Sequence, residues 1–454
     1  MLVVDSLRAD APGFGGGEAL TPGLDALAAS GTVYDEAICS AGWTVPSLNA
    51  IATGTFPHRV GVARWRHPFP ARRPTVFSAF ANAGFEVFSF FHNPRWAFAN
   101  TQVRGTAGDS QDADAVCAAL RAPSGVDRLV FVHHWWTHLP YRTEAIPRAP
   151  WRSLCSEILG QLAEDPESQR PRWRRAYLDT VEYLDRELLP RYLDAAHSGG
   201  DDVLVCLTAD HGENWGESVP KGHEVGHIYD LHGRWLTDDT TRVPLFFAGG
   251  RRADSVPAGA RLGGYARGVD VSPTVCDLAG IPWPGPLSDV EGPTLIDRGI
   301  TDDTLILDGA SLAPGLRAGA GPTRGEALTV TSHNAVVPAK YPRKARTMWR
   351  RYSVRTRAGR YVWDGVDGTR HQQDDEGSLV PVGLAARFRA LTKDRELWAS
   401  MKQARKEAVG PGAKLDKEIF PGIGDDDASL DDAAAGLERD EDLEASMRML
   451  GYLD

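Results

Sequence analysis

Val203-Leu204-Val205-Cys206-Leu207-Thr208-Ala209-Asp210-His211-Gly212-Glu213 is the stretch whose reading decides the fold. Its first half is apolar and lacks a period-two alternation, so as a strand it is covered on both faces. Asp210 and His211 follow where that strand ends. Oxygen and nitrogen donors entering from one strand-end loop suit a hard-to-borderline divalent cation. A lone Asp-His-Gly triplet is ordinary loop surface, so its meaning depends on the rest of the chain.

Four other segments have the same character: 2–4, 86–91, 128–132 and 243–248. Helical patterns lie between them at 24–30, 45–53, 76–83, 172–195 and 271–278. Such alternation predicts a three-layer α/β/α sandwich with a mostly parallel central sheet. Asp5, His133 and Asp210 all fall at C-terminal strand ends, where open α/β sheets place their sites. A smaller antiparallel subdomain is expected C-terminal to this body, because 350–355 and 360–363 read as a hairpin turning at Arg357-Ala358-Gly359. The expected units are a body at 1–300, a subdomain at 301–410, an acidic and flexible segment at 411–446, and an apolar tail at 447–454 that docks back. Ten Asp or Glu fall within 425–444, which fits a solvated segment.

Composition narrows the function. The 454 residues carry 50 Lys or Arg against 61 Asp or Glu, a net charge of −11, so general nucleic-acid binding is not expected. Gly 47 and Pro 30 imply many loops, as strand-end active sites require. Five widely spaced cysteines include no CxxC pair, so neither a disulfide framework nor a structural zinc is indicated. No apolar run reaches the roughly 20 residues of a membrane span. A cytoplasmic protein is the provisional expectation. It is provisional because a strand starting almost at residue 1 leaves room for residues upstream. A homo-oligomer is left open.

Four of the 13 histidines lie between residues 211 and 232. His223-Glu224-Val225-Gly226-His227 matches HExxH, but Gly226, Pro220 and Gly222 oppose the helix that motif needs, and a substrate loop is the favoured reading. Thr44, in Trp43-Thr44-Val45-Pro46-Ser47, opens a helical run. A helix-start hydroxyl is ordinarily a cap; at a positive helix end beside a metal it is also a stabilised nucleophile. The residues alone leave both open.

These motifs, taken in order, resemble the sulfatase branch of the alkaline-phosphatase superfamily. Asp5-Ser6-Leu7-Arg8-Ala9-Asp10 is similar to its opening metal-binding segment, and Thr21-Pro22-Gly23-Leu24-Asp25-Ala26-Leu27-Ala28 to the T-P-N-L-D-x-L-A stretch after it. Thr44-Val45-Pro46-Ser47 with Thr53-Gly54-Thr55-Phe56-Pro57 resembles the nucleophile helix and its continuation. His138-Leu139-Pro140-Tyr141 resembles an H-x-P-Y segment, Asp210-His211-Gly212-Glu213 the second metal motif, and His232-Gly233 the catalytic-base region. The resemblance covers roughly residues 1–300.

It implies an alkaline-phosphatase-like fold and one divalent metal ion (Mn, Ca, Mg or Zn) held by Asp5, Asp210, His211 and Thr44. It also implies catalysis by Thr44, His138 and His232, with Arg8, Lys221, His223 and His227 as contacts to the anionic substrate. Departures accompany the matches. Classical sulfatases carry C-x-P-S-R, whose cysteine becomes formylglycine; this chain has Thr44 and Leu48 at the cysteine and arginine positions, so no formylglycine is expected. Ser6 replaces the second of two paired aspartates, and Trp136 stands where relatives often carry Asp. The expected activity is hydrolysis of a sulfate or phosphate ester on a small molecule or glycan. Phosphodiester or phosphonate hydrolysis, phosphoryl-group transfer and a weakened binding protein are the alternatives.

Overall fold

The computed structural model describes residues 1–57, 74–92, 106–121, 125, 127–143, 148–198, 202–218, 231–249, 256–283, 308–323 and five strands between 326 and 381. The acidic segment and tail expected at 411–446 and 447–454 lie outside the described residues.

A nine-stranded sheet forms the centre. Its strands are β1 (Leu2–Val4), β2 (Gly31–Ile38), β3 (Glu86–Phe90), β4 (Thr106–Gly108), β5 (Arg128–His134), β6 (Leu204–Ala209), β7 (Arg242–Val243), β8 (Leu245–Gly249) and β9 (Ala260–Arg267). They run in the order β4-β3-β5-β1-β6-β8-β2-β7, with β9 paired to β2. The run from β4 to β6 is parallel. Beyond β6, β8 lies antiparallel to both its neighbours. The mostly parallel sheet is therefore present, with an antiparallel insertion on one side.

Three differences from the sequence reading have physical causes. The expected strand 243–248 is split at Pro244, which has no N–H for the ladder. Strand β2 was not legible because Asp35 and Glu36 interrupt its apolar run; they are half-buried at the irregularity in its pairing with β9, where Arg261 donates to Asp35. The expected helix 172–195 is longer and broken: Pro166–Tyr183, a π-helical turn at Leu184–Leu188, then Leu189–His197. Asp185 in that turn is buried, and its carboxylate accepts from the backbone N–H groups of Gly23 and Leu24. It thereby caps the helix Pro22–Ala29, whose own N-cap Thr21 makes no side-chain capping bond.

The helix Thr44–Thr53 is buried along its whole length. Two of its polar side chains bond back to the helix, Asn49 donating to the Val45 carbonyl and Thr53 to that of Asn49, while Ser47 donates to the Asp210 carbonyl. Gly54 ends it with φ of 60°, and its carbonyl accepts from Asp308 and Gly309.

The predicted hairpin exists as β11 (Arg351–Thr356) and β12 (Gly359–Asp364), inside an antiparallel sheet with β10 (Glu326–Thr331), β13 (Arg370–Gln373) and β14 (Leu379–Pro381). That sheet docks on the central body: Thr329 donates to the Cys39 carbonyl, and Arg355 pairs with Asp238. All five cysteines are buried and unpaired. Among the described residues no helix is long and apolar enough to cross a membrane.

Candidate active site

Strand register brings the carboxylates together. Val3 of β1 stands beside His133 of β5 and Thr208 of β6. Asp5 and Asp210 each come two residues after these register positions, so alternation places Asp5, His133 and Asp210 on one face. Ser6 then turns the chain with φ of 55°, a conformation that is costly for a residue with a Cβ. The turn lets the Ser6 N–H donate to Asp210 Oδ1 (3.1 Å) and the Ser6 hydroxyl to Asp5 Oδ1 (2.7 Å). The outer carboxylate oxygens are thus occupied, and the inner ones face each other's partners.

Those inner atoms form the site. Thr44 Oγ lies 3.4 Å from Asp5 Oδ2 and 3.2 Å from His211 Nε2. His211 Nδ1–H donates to the Gly212 carbonyl (2.8 Å), which leaves Nε2 as its ligating face. Asp5, Asp210 and His211 are buried and offer ligand atoms all within 4.8 Å of one another. Asp210 Oδ2 is buried without a hydrogen-bond partner. A divalent cation fits this donor set, because it supplies the charge two dehydrated carboxylates need. Burial opposes ionisation of Asp5, yet the neighbouring His138, His133 and His211 outweigh it and hold the carboxyl well below its usual range.

Thr44 is the first residue of its helix, and the preceding Trp43 makes no side-chain cap. The N–H groups of that first turn have no partner within the helix and present a partial positive charge beside Thr44 Oγ. At 8% exposure the residue is enclosed, so negative charge developing there meets helix and cation rather than water.

A histidine pair flanks this centre. His138 donates from Nδ1 to the Leu139 carbonyl (2.8 Å), and its ring stacks on Trp135 at 4.5 Å. Trp135 also stacks on His92, with ring centroids 4.0 Å apart. His232 donates from Nδ1 to Glu213 Oε1 (2.9 Å), while its Nε2 is buried without a partner. The His232 ring centroid lies 4.6 Å from that of His211 and 5.4 Å from that of His138. Tyr141 donates to Glu213 Oε2 (3.0 Å) and accepts from Trp215 Nε1 (3.0 Å). Burial pushes Glu213 up to about 7 against the pull of His138 and His211. Burial and the neighbouring His211 bring His232 down to about 3.

The site residues expected from sequence are thus mostly assembled: Asp5, Thr44, His138, Asp210, His211 and His232 converge. Lys221, His223 and His227 lie outside the described residues. Arg8 is committed elsewhere, which corrects its expected role as an anion contact. Its guanidinium donates to both oxygens of Asp10, to Glu217 and to the Glu213 carbonyl, and lies over the Trp215 ring. Trp235 packs with Leu236 and Val362 as core. His133, singled out in the sequence only by its strand-end position, and Tyr141, given no role there, both stand within the site. His133 carried a faint signal, a histidine at the C-terminal end of a strand; Tyr141 carried none beyond its motif.

The Arg8 cluster carries one testable consequence. Asp239 is buried beside it, and burial pushes its carboxyl up to about 7 despite Arg8. Its folded value exceeds the unfolded 3.8, so the folded state holds a proton that the unfolded state has released. Wild-type stability from this group therefore falls as pH rises from about 4 to about 7. Asp239→Asn is expected to match wild type in Tm near pH 4 and to exceed it by a few degrees above pH 7. Parallel melting curves across that range check this, and a constant offset refutes it.

A mixed α/β sheet with this cluster at its parallel strand ends defines an alkaline-phosphatase-like protein. The chain belongs to the sulfatase family: the Sulfatase family model matches residues 1–281. The Haloferax volcanii low-salt glycan biosynthesis sulfotransferase Agl7 is 24% identical over 249 residues, 54% of each protein, so the chain spans about half the length of that relative. The phosphonate monoester hydrolase of Agrobacterium radiobacter superposes with a TM-score of 0.64 at 18% identity, over 89% of this chain and 95% of that one. The Silicibacter pomeroyi phosphonate monoester hydrolase gives 0.60 at 16% identity, over 91% and 96%. BT1596, a 2-O GAG sulfatase, gives 0.57 at 17%, over 99% and 95%. These structural likenesses speak to the fold.

Proposed function

We propose that the chain is a metal-dependent hydrolase of anionic esters that works through Thr44, with phosphorus esters favoured over sulfate esters. The observation that carries this reading is the position of Thr44 Oγ, within 3.4 Å of Asp5 and 3.2 Å of His211 at an uncapped helix start. A divalent cation held by Asp5, Asp210, His211 and Thr44 would lower the proton affinity of the Thr44 hydroxyl and neutralise charge on the substrate's oxygens. The Thr44 hydroxyl gives its proton to solvent, and its oxygen attacks phosphorus as the bond to the leaving oxygen breaks. His232, protonated at Nε2 once the anionic ester is bound, gives that proton to the leaving oxygen. Glu213 on Nδ1 supports the imidazolium, as a carboxylate does for a triad histidine. In the second half, neutral His232 takes a proton from water. The resulting hydroxide attacks phosphorus, and the bond to Thr44 breaks.

Phosphorus is favoured because of this second half. A formylglycine hydrate sheds sulfate by collapsing to an aldehyde; a threonine ester has no such exit. Direct displacement at phosphorus is open to a simple alkoxide. The structural likeness to two phosphonate monoester hydrolases is consistent with this preference. A second reading replaces water by an alcohol acceptor, giving group transfer. The name of the Haloferax volcanii relative, a sulfotransferase of glycan biosynthesis, favours that variant.

The test is a panel of an aryl sulfate, an aryl phosphate monoester and a bis-aryl phosphodiester, each with added Mn²⁺, Mg²⁺, Ca²⁺ or Zn²⁺ and with or without an alcohol acceptor. Turnover of a phosphorus ester that rises with metal is expected. Turnover of the sulfate ester alone overturns the preference for phosphorus. Product appearing only with the alcohol replaces hydrolysis by transfer.

A further inference from the structure

We propose that Tyr141 is a positioning residue for the reaction: held by Trp215, its hydroxyl fixes the Glu213 carboxylate against His232 Nδ1 and so aims His232 Nε2 at the leaving oxygen. This rests on the reading of His232 as proton donor given above.

The direction of these hydrogen bonds follows from donor chemistry. An indole Nε1 only donates, so the Tyr141 oxygen accepts from Trp215 across their 3.0 Å contact. The one hydrogen of the Tyr141 hydroxyl is then free for Glu213 Oε2, also 3.0 Å away. Glu213 receives this bond on Oε2 and a second from His232 Nδ1 on Oε1, at 2.9 Å. A carboxylate accepting in this way leaves His232 with its hydrogen on Nδ1 and with Nε2 bare. That nitrogen is buried and has no hydrogen-bond partner among the described residues. The last torsion of a glutamate is soft, so the bond to His232 alone leaves the carboxylate free to turn. The bond from Tyr141 on the other oxygen fixes its plane. All four side chains are buried, so bulk water does not compete for the three bonds.

Tyr141 is placed at a cost. Its φ is 55°, a left-handed conformation that bulky side chains rarely adopt. Its N–H closes a tight turn onto the His138 carbonyl at 2.9 Å, so one turn presents both His138 and Tyr141. Strain of this kind persists only where the surroundings hold it. The holders are Trp215 and Tyr177, whose rings meet that of Tyr141 edge-on at 6.3 and 5.8 Å between centroids. Trp215 in turn donates its backbone N–H to Glu217 (2.7 Å), and Arg8 lies over its ring. The ion-paired Arg8 thus braces this support.

Phenyl and dinitrophenyl esters, as phosphates and in parallel as sulfates, are compared on the full chain with added Mn²⁺. Dinitrophenolate leaves as a stable anion and needs no proton, whereas departure of phenolate gains from one. Tyr141→Phe is expected to lower kcat/KM for the phenyl ester by about 10- to 100-fold and for the dinitrophenyl ester by less than about threefold, because a displaced proton donor costs only where its proton is used. The ratio kcat/KM is read because it reports the half-reaction in which the leaving oxygen departs. Tm is expected to fall, since Trp215 Nε1 and Glu213 Oε2 each lose a partner, and a purely structural role predicts that fall as well. It does not predict the dependence on leaving group. Equal losses with both esters, or wild-type kcat/KM with both, overturn the proposal. If Tyr141→Phe does not fold, Trp215→Phe, which keeps an aromatic ring without the donor, is read in the same way. The ¹⁵N-histidine spectrum of the wild type, with His232 assigned by its loss in His232→Ala, depends on neither: a hydrogen on Nδ1 is expected, and a hydrogen on Nε2 overturns the proposal. His232→Ala also separates the two readings. A loss there that ignores the leaving group sinks the proton-donor reading and this proposal with it. A selective loss there beside equal losses in Tyr141→Phe sinks the role of Tyr141 alone.

Discussion

Replacing Thr44 by Ala is expected to lower turnover of every ester substrate by about 10³- to 10⁵-fold while leaving Tm within a degree or two of wild type. The size of the loss follows from the position of the side chain. Its oxygen lies within hydrogen-bond reach of both Asp5 Oδ2 and His211 Nε2, whereas the nearby Ser6 hydroxyl is taken up by the outer Asp5 oxygen. The small effect on stability follows from the helix. Thr44 is its first residue, the cap position belongs to Trp43, and the Thr44 side chain bonds into the site, to Asp5 and His211. Alanine is a better helix former than threonine, so the helix Thr44–Thr53 should persist. Thr44→Ser keeps the hydroxyl and is expected to stay within about tenfold of wild type. Steady-state rates with an aryl phosphate, beside melting curves, decide the matter. If Thr44→Ala turns over at the wild-type rate, water attacks directly and the covalent step is wrong.

Much of this site was legible because parallel α/β sheets write their active sites in a simple way. The apolar runs of β1 and β6 end in Asp5 and Asp210-His211, and a buried strand that stops at a carboxylate has few structural uses for it. Thr44 was legible by order along the chain; the residues alone leave cap and nucleophile both open, and its neighbours in space are what support the nucleophile proposed above. Other parts were hidden for stated reasons. Strand β2 carries half-buried Asp35 and Glu36 at the irregularity in its pairing with β9, which breaks the apolar signal. Glu213 and His232 are 19 residues apart, a spacing that predicts nothing about contact. His133 showed in the sequence as a strand-end residue, but its contact with both carboxylates follows only from the register that sets it beside Val3. Arg8 could be read as an anion contact or as an ion-pair residue, and Asp10 with Glu217 settles that in favour of the second.

Asp210→Asn separates the cost of building this site from what the site does. Asp210 Oδ1 accepts from the N–H groups of Ser6 (3.1 Å) and His211 (2.8 Å). An asparagine carbonyl keeps both bonds. Only Oδ2 changes, and it is the atom with no hydrogen-bond partner, 3.4 Å from the rings of His133 and His211. Asp5 and Asp210 are both fully buried, so the metal-stripped protein carries two dehydrated carboxylates that only nearby histidines neutralise. Burial alone would lower His133, yet Asp210 and Asp5 push it up to about 9, so a proton holds the place of missing positive charge. Removing one carboxylate relieves part of that cost, and the new amide can donate to a neutral ring. The stripped variant is therefore expected to melt at or above the wild-type Tm. Its response to metal should be the reverse. Wild type at a free metal concentration about 100 times Kd gains about 2.7 kcal/mol and a visible rise in Tm. Asp210→Asn is expected to lose most of that rise and at least about 10³-fold in turnover, because it forfeits a charged ligand. Melting curves of both proteins, stripped and metal-loaded, read the two effects separately. A variant that keeps the full metal-induced rise refutes Asp210 as a ligand. A stripped variant that melts well below wild type shows instead that the Asp210 charge stabilises the fold, and the site then carries no stability cost for its function.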